Sequence, residues 1–287
     1  MDPYIKNIDE YTIEANPESL SLHKLKMMKA HGVNRLSIGV ESTDDKILKA
    51  INRLHTFNDV KEVVNNARKI GFDNISFDLI LGLPQVSKKM LIKDINNILS
   101  LNPDHLSCYS LTVHQNTYMG IKGITPPSDD EMREKYDIVN KLLTDNGYVH
   151  YEISSWCKEN KYSKHNLIYW KDEQYYGLGL GASGFIDNVR YTNTLNLNEY
   201  LKGQYEGFKE VVDLNDDFEY LMLSLRTIFG INYQEYQNRF GVSFLEKYKK
   251  RIFDNRFESY FIFEKDKAYL TYEGMMIADT ILLKICE

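Results

Sequence analysis

The sequence predicts an α/β protein in which a partial parallel (β/α) barrel precedes a C-terminal α+β domain of winged-helix type. Three observations carry that reading. Strand and helix patterns alternate from residue 12 to residue 111, and strands separated by helices pair in parallel through right-handed crossovers. Acidic and polar residues recur at the strand ends, where ligands collect in such folds. From about residue 213 to residue 287 the pattern reads helix, helix, helix, strand, turn, strand, helix.

Each element follows from local chemistry. Thr12-Ile13-Glu14-Ala15 is a short strand that stops at Asn16-Pro17. Over 20–31, Leu22, Leu25 and Met28 recur at three-residue steps, which predicts a helix that Gly32 ends. Residues 35–40 form the second strand. Helical patterns cover 44–51 and 58–70, the latter closed by Gly71. The third strand, 74–81, ends at Gly82-Leu83-Pro84. A helix over 88–99 leads through Asn102-Pro103 to the fourth strand, 105–111. Four strands are too few to close a barrel, for which about eight is usual, and the first would be left as an unpaired edge. Pro126-Pro127-Ser128-Asp129 marks a boundary and the start of a helix over 129–146, ended by Gly147. Residues 148–191 are rich in Tyr, Trp and Gly and show no simple period. Near the C-terminus, strands at 260–263 and 268–271 flank a charged turn at 264–267, and a last helix begins at Tyr272. The expected division is a partial barrel at 1–125, a connecting region at 126–212 and the winged-helix-like domain at 213–287.

Composition narrows the class. A net charge of −6 argues against a general nucleic-acid or membrane-surface binder. Twenty-one tyrosines and 13 phenylalanines read either as core and groove lining or as a flat apolar ligand site. No stretch reaches the roughly 18 apolar residues of a membrane span, and Met1-Asp2-Pro3-Tyr4-Ile5-Lys6 lacks the apolar run of a signal peptide. A cytoplasmic protein is expected. Cysteines at 108, 157 and 286 make neither a disulfide framework nor a closely spaced metal cradle.

Four ionisable residues fall where chemistry is expected. Glu14 is near a strand end, Glu41 follows the second strand, Arg53 lies in the next connection, and Asp78 sits inside an apolar strand. A lone carboxylate there is costly unless paired or hydrogen-bonded. Asp78 is either a structural bond to a neighbouring loop or a polar anchor for a ligand's ammonium or hydroxyl groups. Downstream, His165 and Tyr169 would share a helix face at i, i+4. Both residue types can ligate haem iron, and aromatics can stack on a porphyrin. The competing reading is a buried histidine bonded to backbone. Gly177-Leu178-Gly179-Leu180-Gly181 lacks the spacing and context of a dinucleotide loop and reads as a tight turn.

Seven segments occur in order: Thr-Ile-Glu-Ala-Asn-Pro, Asn-Arg-Leu-Ser-Ile-Gly-Val-Glu-Ser, Asn-Arg-Leu-His-Thr, Phe-Asp-Leu-Ile-Leu-Gly-Leu-Pro, His-Leu-Ser-Cys-Tyr-Ser-Leu, Tyr-Glu-Ile-Ser and His-Asn-Leu-Ile-Tyr-Trp. From about residue 11 onward the chain resembles the HemW-type haem chaperones of the radical S-adenosylmethionine (SAM) superfamily, relatives of oxygen-independent coproporphyrinogen III oxidase. The resemblance implies a partial barrel of the radical SAM type that holds SAM and a 4Fe–4S cluster. It implies SAM contacts at Glu14, Glu41, Arg53 and Asp78, and haem handling by His165, Tyr169 and Trp170. Glu41 stands where the family has Gln, and Ser183 where it has His. The family's Cys-x-x-x-Cys-x-x-Cys loop and Gly-Gly-Thr-Pro segment do not occur, so the chain is expected to be N-terminally truncated and to lack the cluster's ligands. No catalytic residue or metal ligand is assigned. Expected partners are haem, haem-accepting proteins and a second copy in a homodimer, with no nucleic acid and no integral membrane segment. The alternatives are a coproporphyrinogen III oxidase-like enzyme in the full-length form and a non-catalytic interaction protein; whether the chain is an enzyme is left open.

Overall fold

Four parallel strands, each followed by helix, build one side of a six-stranded sheet in the computed structural model, which describes residues 8–115, 117–213 and 216–287. The chain divides into two compact units, Met1–Lys164 and His165–Glu287. In the first, β1 (Thr12–Ala15), β2 (Arg35–Glu41), β3 (Ile75–Leu81) and β4 (His105–Ser110) run parallel in that order. Between them lie α1 (Leu22–Ala30), α2 (Asp45–Ala50), α3 (Phe57–Ile70) and α4 (Lys88–Leu99). After α5 (Tyr118–Ile121) and α6 (Asp129–Asp145), β5 (Val149–Glu152) and β6 (Ser155–Cys157) return antiparallel and extend the sheet in the order β1-β2-β3-β4-β6-β5. Among the described residues β1 pairs only with β2.

The sequence starts and stops these helices with side-chain caps. Ser21 accepts from the Lys24 amide. Thr56 and Asp59 form a reciprocal capping box on α3, and Gly71 ends it in the left-handed region at φ 98°. Ser87 caps α4, and Ser128 with Glu131 boxes the start of α6. The α1 stripe is weaker than its spacing suggests, for Leu25 is buried while Leu22 is 46% exposed.

Strand alternation assigns two faces. Phe77, Leu79 and Leu81 of β3 are fully covered, whereas Asp78 and Ile80 face a cavity. Beneath that cavity the interior is polar. His105 bonds Ser76 Oγ through Nδ1 and the Tyr151 hydroxyl through Nε2, both at 2.8 Å. Trp156 of β6 is wholly buried, stacks on His150 with ring centroids 4.4 Å apart, and donates to Asn140 Oδ1 at 3.0 Å.

The second unit follows α7 (Lys164–Trp170) with an antiparallel sheet of β7 (Ser183–Ile186), β8 (Val189–Thr192) and β9 (Phe208–Val211), with α8 (Leu197–Leu201) between β8 and β9. Its C-terminal part is the winged-helix-like domain. It comprises α9 (Phe218–Ser224), β10 (Ile231–Asn232), α10 (Tyr233–Phe240), α11 (Phe244–Asp254), β11 (Phe261–Phe263), β12 (Lys267–Leu270), α12 (Tyr272–Met276) and α13 (Ala278–Cys286). The strand β10, not foreseen from sequence, makes the wing three-stranded in the order β10-β12-β11. Leu221, Tyr236, Phe244, Ile252 and Ile281 fill its core. Asp217 is buried among them and accepts from the hydroxyls of Tyr236 and Tyr248 and from Lys247. These partners replace the hydration the carboxylate loses.

Candidate functional site

A cavity of about 600 Å³ opens at the carboxyl ends of β1–β4. Glu14 enters it from β1, opposite Ser37 in the register of β2. Glu41 enters from the end of β2, where the pairing with β3 slips between Gly39 and Glu41. Such a bulge re-aims a side chain, and Glu41 takes the left-handed backbone at φ 64°. Gly39 makes this possible, since a Cβ there would stand 3.1 Å from Glu41 Oε1 and 3.3 Å from Asn16 Oδ1. Arg53, in the connection after α2, ion-pairs with Glu41 and donates to Asn16 Oδ1 at 3.1 Å. It thereby ties the end of β1 to the end of β2.

Asp94 of α4 holds the next two residues. It accepts from Ser42 Oγ at 2.8 Å and from the Thr43 amide and hydroxyl at 3.2 and 2.5 Å. Replacing Asp94 with Ala would leave three buried donors without an acceptor. The expected loss is about 3 kcal/mol in unfolding free energy, since each unsatisfied buried donor costs about 1–3 kcal/mol. Urea denaturation checks this, and a midpoint equal to that of the parent protein would contradict it.

Asp78 stands between hydroxyls. Ser37 Oγ donates to it at 3.1 Å, and Ser107 bonds it from β4. Burial pushes its carboxyl up to about 6, against the hydroxyls and the Arg35 guanidinium, which pull it down. Glu41 is also raised, first by burial and in the same sense by Asp78, while Arg53 opposes this. Tyr109 lines the cavity and bonds Ser107; burial drives its hydroxyl up to about 12. The cavity therefore presents three acidic side chains, braced by hydroxyls and by the Arg53 guanidinium. That set can receive an ammonium group, a sulfonium charge or sugar hydroxyls.

Of the residues picked from sequence, Glu14, Glu41 and Asp78 line this one cavity, and Arg53 reaches it through Glu41. His165, Tyr169 and Trp170 lie in the second unit. His165 Nε2 and the Tyr169 hydroxyl are 2.7 Å apart, and Tyr169 meets Tyr175 edge-on at 4.6 Å. Trp170 points elsewhere on the helix and lines a separate cavity of about 430 Å³ with Tyr220 and Phe229. The glycine loop is a turn, with Gly179 and Gly181 at φ 121° and 67° and Asn193 donating to the carbonyls of Gly177 and Gly179. Sequence reasoning missed Asn16, Ser37, Ser107, Tyr109 and Asp94. An acid between Leu91 and Ile95 on the apolar face of α4 was the one available signal for Asp94.

The thiols do not suit an iron–sulfur cluster. Cys108 and Cys157 are buried in β4 and β6, and Cys286 lies in α13. Burial drives Cys108 far above the usual thiol range and Cys157 up to about 12, away from the thiolate a cluster needs. Among the described residues no group of three His, Cys, Asp or Glu is placed to hold a metal ion. Among them, too, no helix is long and apolar enough to cross a membrane.

Comparison with known proteins adds three findings. The Radical SAM superfamily profile matches residues 3–98. The heme chaperone HemW of Bacillus subtilis is 37% identical over 287 residues, spanning 96% of this chain and 75% of that protein. HemW of Lactococcus lactis is 33% identical with the same coverage. In structure, the coproporphyrinogen III oxidase HemN of Escherichia coli, described as a radical SAM enzyme, superposes with a TM-score of 0.80 over 96% of this chain and 69% of its own. At 19% identity that likeness speaks to the fold alone.

Proposed function

Because this chain belongs to the HemW family of radical SAM proteins, we propose that it is a cytoplasmic haem chaperone that binds SAM in its barrel cavity and carries haem on its second unit. The observation that carries the SAM reading is the convergence of Glu14, Glu41 and Asp78, distant in sequence, on one cavity. SAM brings a sulfonium, an ammonium group and ribose hydroxyls. Asp78, held by Ser37 and Ser107, and Glu14 are suited to take the donors, while Arg53 fixes Glu41. Gly39 keeps the cradle open, since any side chain there would press on Glu41 and Asn16.

For haem, the supporting feature is α7, where His165 and Tyr169 already share a face. Both residue types can ligate haem iron. Haem and the proteins that accept it are then the partners. The test is a haem titration of the purified chain followed by Soret absorbance. His165→Ala is expected to weaken binding about tenfold or more, equivalent to about 1.4 kcal/mol. Equal affinity for the variant and the parent protein would remove His165 from this role.

A further inference from the structure

The sheet β7-β8-β9 of the second unit has one guarded edge and one open edge. Outside β7, Tyr175 and Phe185 exchange two backbone hydrogen bonds of 2.9 Å. Outside β9 no strand pairs among the described residues. All four residues of β9 are exposed, Phe208 at 64% and Val211 at 79%. The direction of its backbone groups follows from the ladder. The Val212 amide donates to the Asn188 carbonyl, just before β8. Backbone groups alternate sides along an antiparallel strand. Those of Phe208 and Glu210 therefore face β8, and those of Lys209 and Val211 face outward. An open edge with exposed apolar side chains is a template for a further strand.

We propose that β9 is the surface through which two copies of this chain associate, paired antiparallel about a two-fold axis at Val211. Charge order selects both the partner and the register. Outward-facing residues must oppose outward-facing residues, which leaves one two-fold register centred on each residue of β9. Centred on Phe208, Glu210 would oppose the partner's Glu206. Centred on Lys209 or on Glu210, that residue would oppose its own copy. All three set like charges face to face, which destabilises a strand pair. Centred on Val211, Lys209 opposes the partner's Asp213, and symmetry makes the contact twice. The two Val211 residues then exchange backbone hydrogen bonds. On the same face Ile186, Val189 and Val211 already lie opposite one another across the three strands. Pairing at Val211 joins that apolar row to the same row of the second copy. An unrelated strand has no reason to match this order of charges, whereas a second copy matches it by symmetry.

The test is sedimentation velocity on the purified chain. An interface built on one short strand belongs to the weak class, so the series runs up to about 100 μM. The parent protein is expected to form a reversible dimer. Val211→Pro removes an outward amide that β8 does not use, so this variant is expected to stay monomeric and to melt as the parent does. Lys209→Glu is expected to raise the dissociation constant about tenfold, and Lys209→Glu/Asp213→Lys to restore it. Val211→Cys should give a disulfide-linked dimer on mild oxidation, because the Cα atoms of a hydrogen-bonded pair stand about 5.5 Å apart, within disulfide reach. Lys209→Cys should cross-link no more than the parent protein does. A parent protein that is monomeric throughout the series overturns the proposal. So does a dimer that Val211→Pro leaves intact, or one that cross-links through position 209 in place of 211. If Val211→Pro does not fold, the charge exchange and the cross-linking decide: a double variant that fails to restore the dimer, or a Val211→Cys variant that fails to cross-link, overturns it equally.

Discussion

Asp78→Asn is expected to weaken SAM binding by about 100-fold or more at pH 7.5, measured by calorimetry. The substitution keeps the size of the side chain and removes its charge. Losing one member of a buried, hydrogen-bonded charged contact costs about 2–5 kcal/mol, and about 2.7 kcal/mol is 100-fold. The same residue fixes the pH dependence. Its carboxyl is raised to about 6, so below that pH it is protonated and neutral, and above it is charged. Affinity in the parent protein should therefore rise as pH increases through about 6, whereas the Asn variant should be flat there. Stability separates loss of the site from loss of the fold. With the folded-state pKa above the value of an exposed aspartate, the protonated form is the one that favours folding. That contribution is complete near pH 4 and is lost as pH rises through 6. At pH 7.5 the ionised carboxylate opposes folding, and Asn carries no such charge. The variant should melt no lower than the parent protein; a variant that melts lower and loses SAM would mean that Asp78 is a structural bond.

Trp156→Ala should cost about 4 kcal/mol, within the usual range of about 3–5 for a buried aromatic reduced to alanine. Trp156 is wholly buried, stacks on His150 and satisfies its indole N–H at Asn140 of α6. It lies on β6, which joins the parallel strands to β5, so the cavity left would sit at a seam of the sheet. A loss of this size is a large share of the about 5–15 kcal/mol that holds a domain together. Urea denaturation of the variant measures it, and a loss under about 1 kcal/mol would show that the indole is not a core residue.

The parallel half of the sheet was readable because its signals agree. Each of β1–β4 is an apolar or alternating run bounded by Gly, Pro or Asn, and each intervening helix carries a cap the sequence shows directly. The strands β5 and β6 were not readable. Ser155-Trp156-Cys157 is three residues long and buried throughout, so it shows no alternation, and its place in the sheet comes from pairing with β4. The two residues of β10 exist as a strand only because β12 lies beside them. Glu14 and Glu41 stood out as charges at strand ends, and Asp78 as a charge inside an apolar strand. The groups that brace them did not, because a serine such as Ser37 or Ser107 inside a strand carries no mark of what it faces. Asp94 was hidden for a different reason. It occupies the buried face of α4 beside Leu91, Ile95 and Ile98, where periodicity alone expects an apolar side chain. His165, Tyr169 and Trp170 read as one motif, yet the helix turns Trp170 into its own cavity and leaves the other two bonded to each other.

Hydrogen exchange with and without SAM tests the central claim most directly, since it locates the ligand without presupposing any residue. Saturating SAM should slow amide exchange in the peptides covering 12–19, 35–42, 76–82 and 105–112, the segments that supply the walls of the cavity, and leave 218–287 unchanged. Protection absent from those four segments, or confined to the second unit, would contradict the assignment of the cavity.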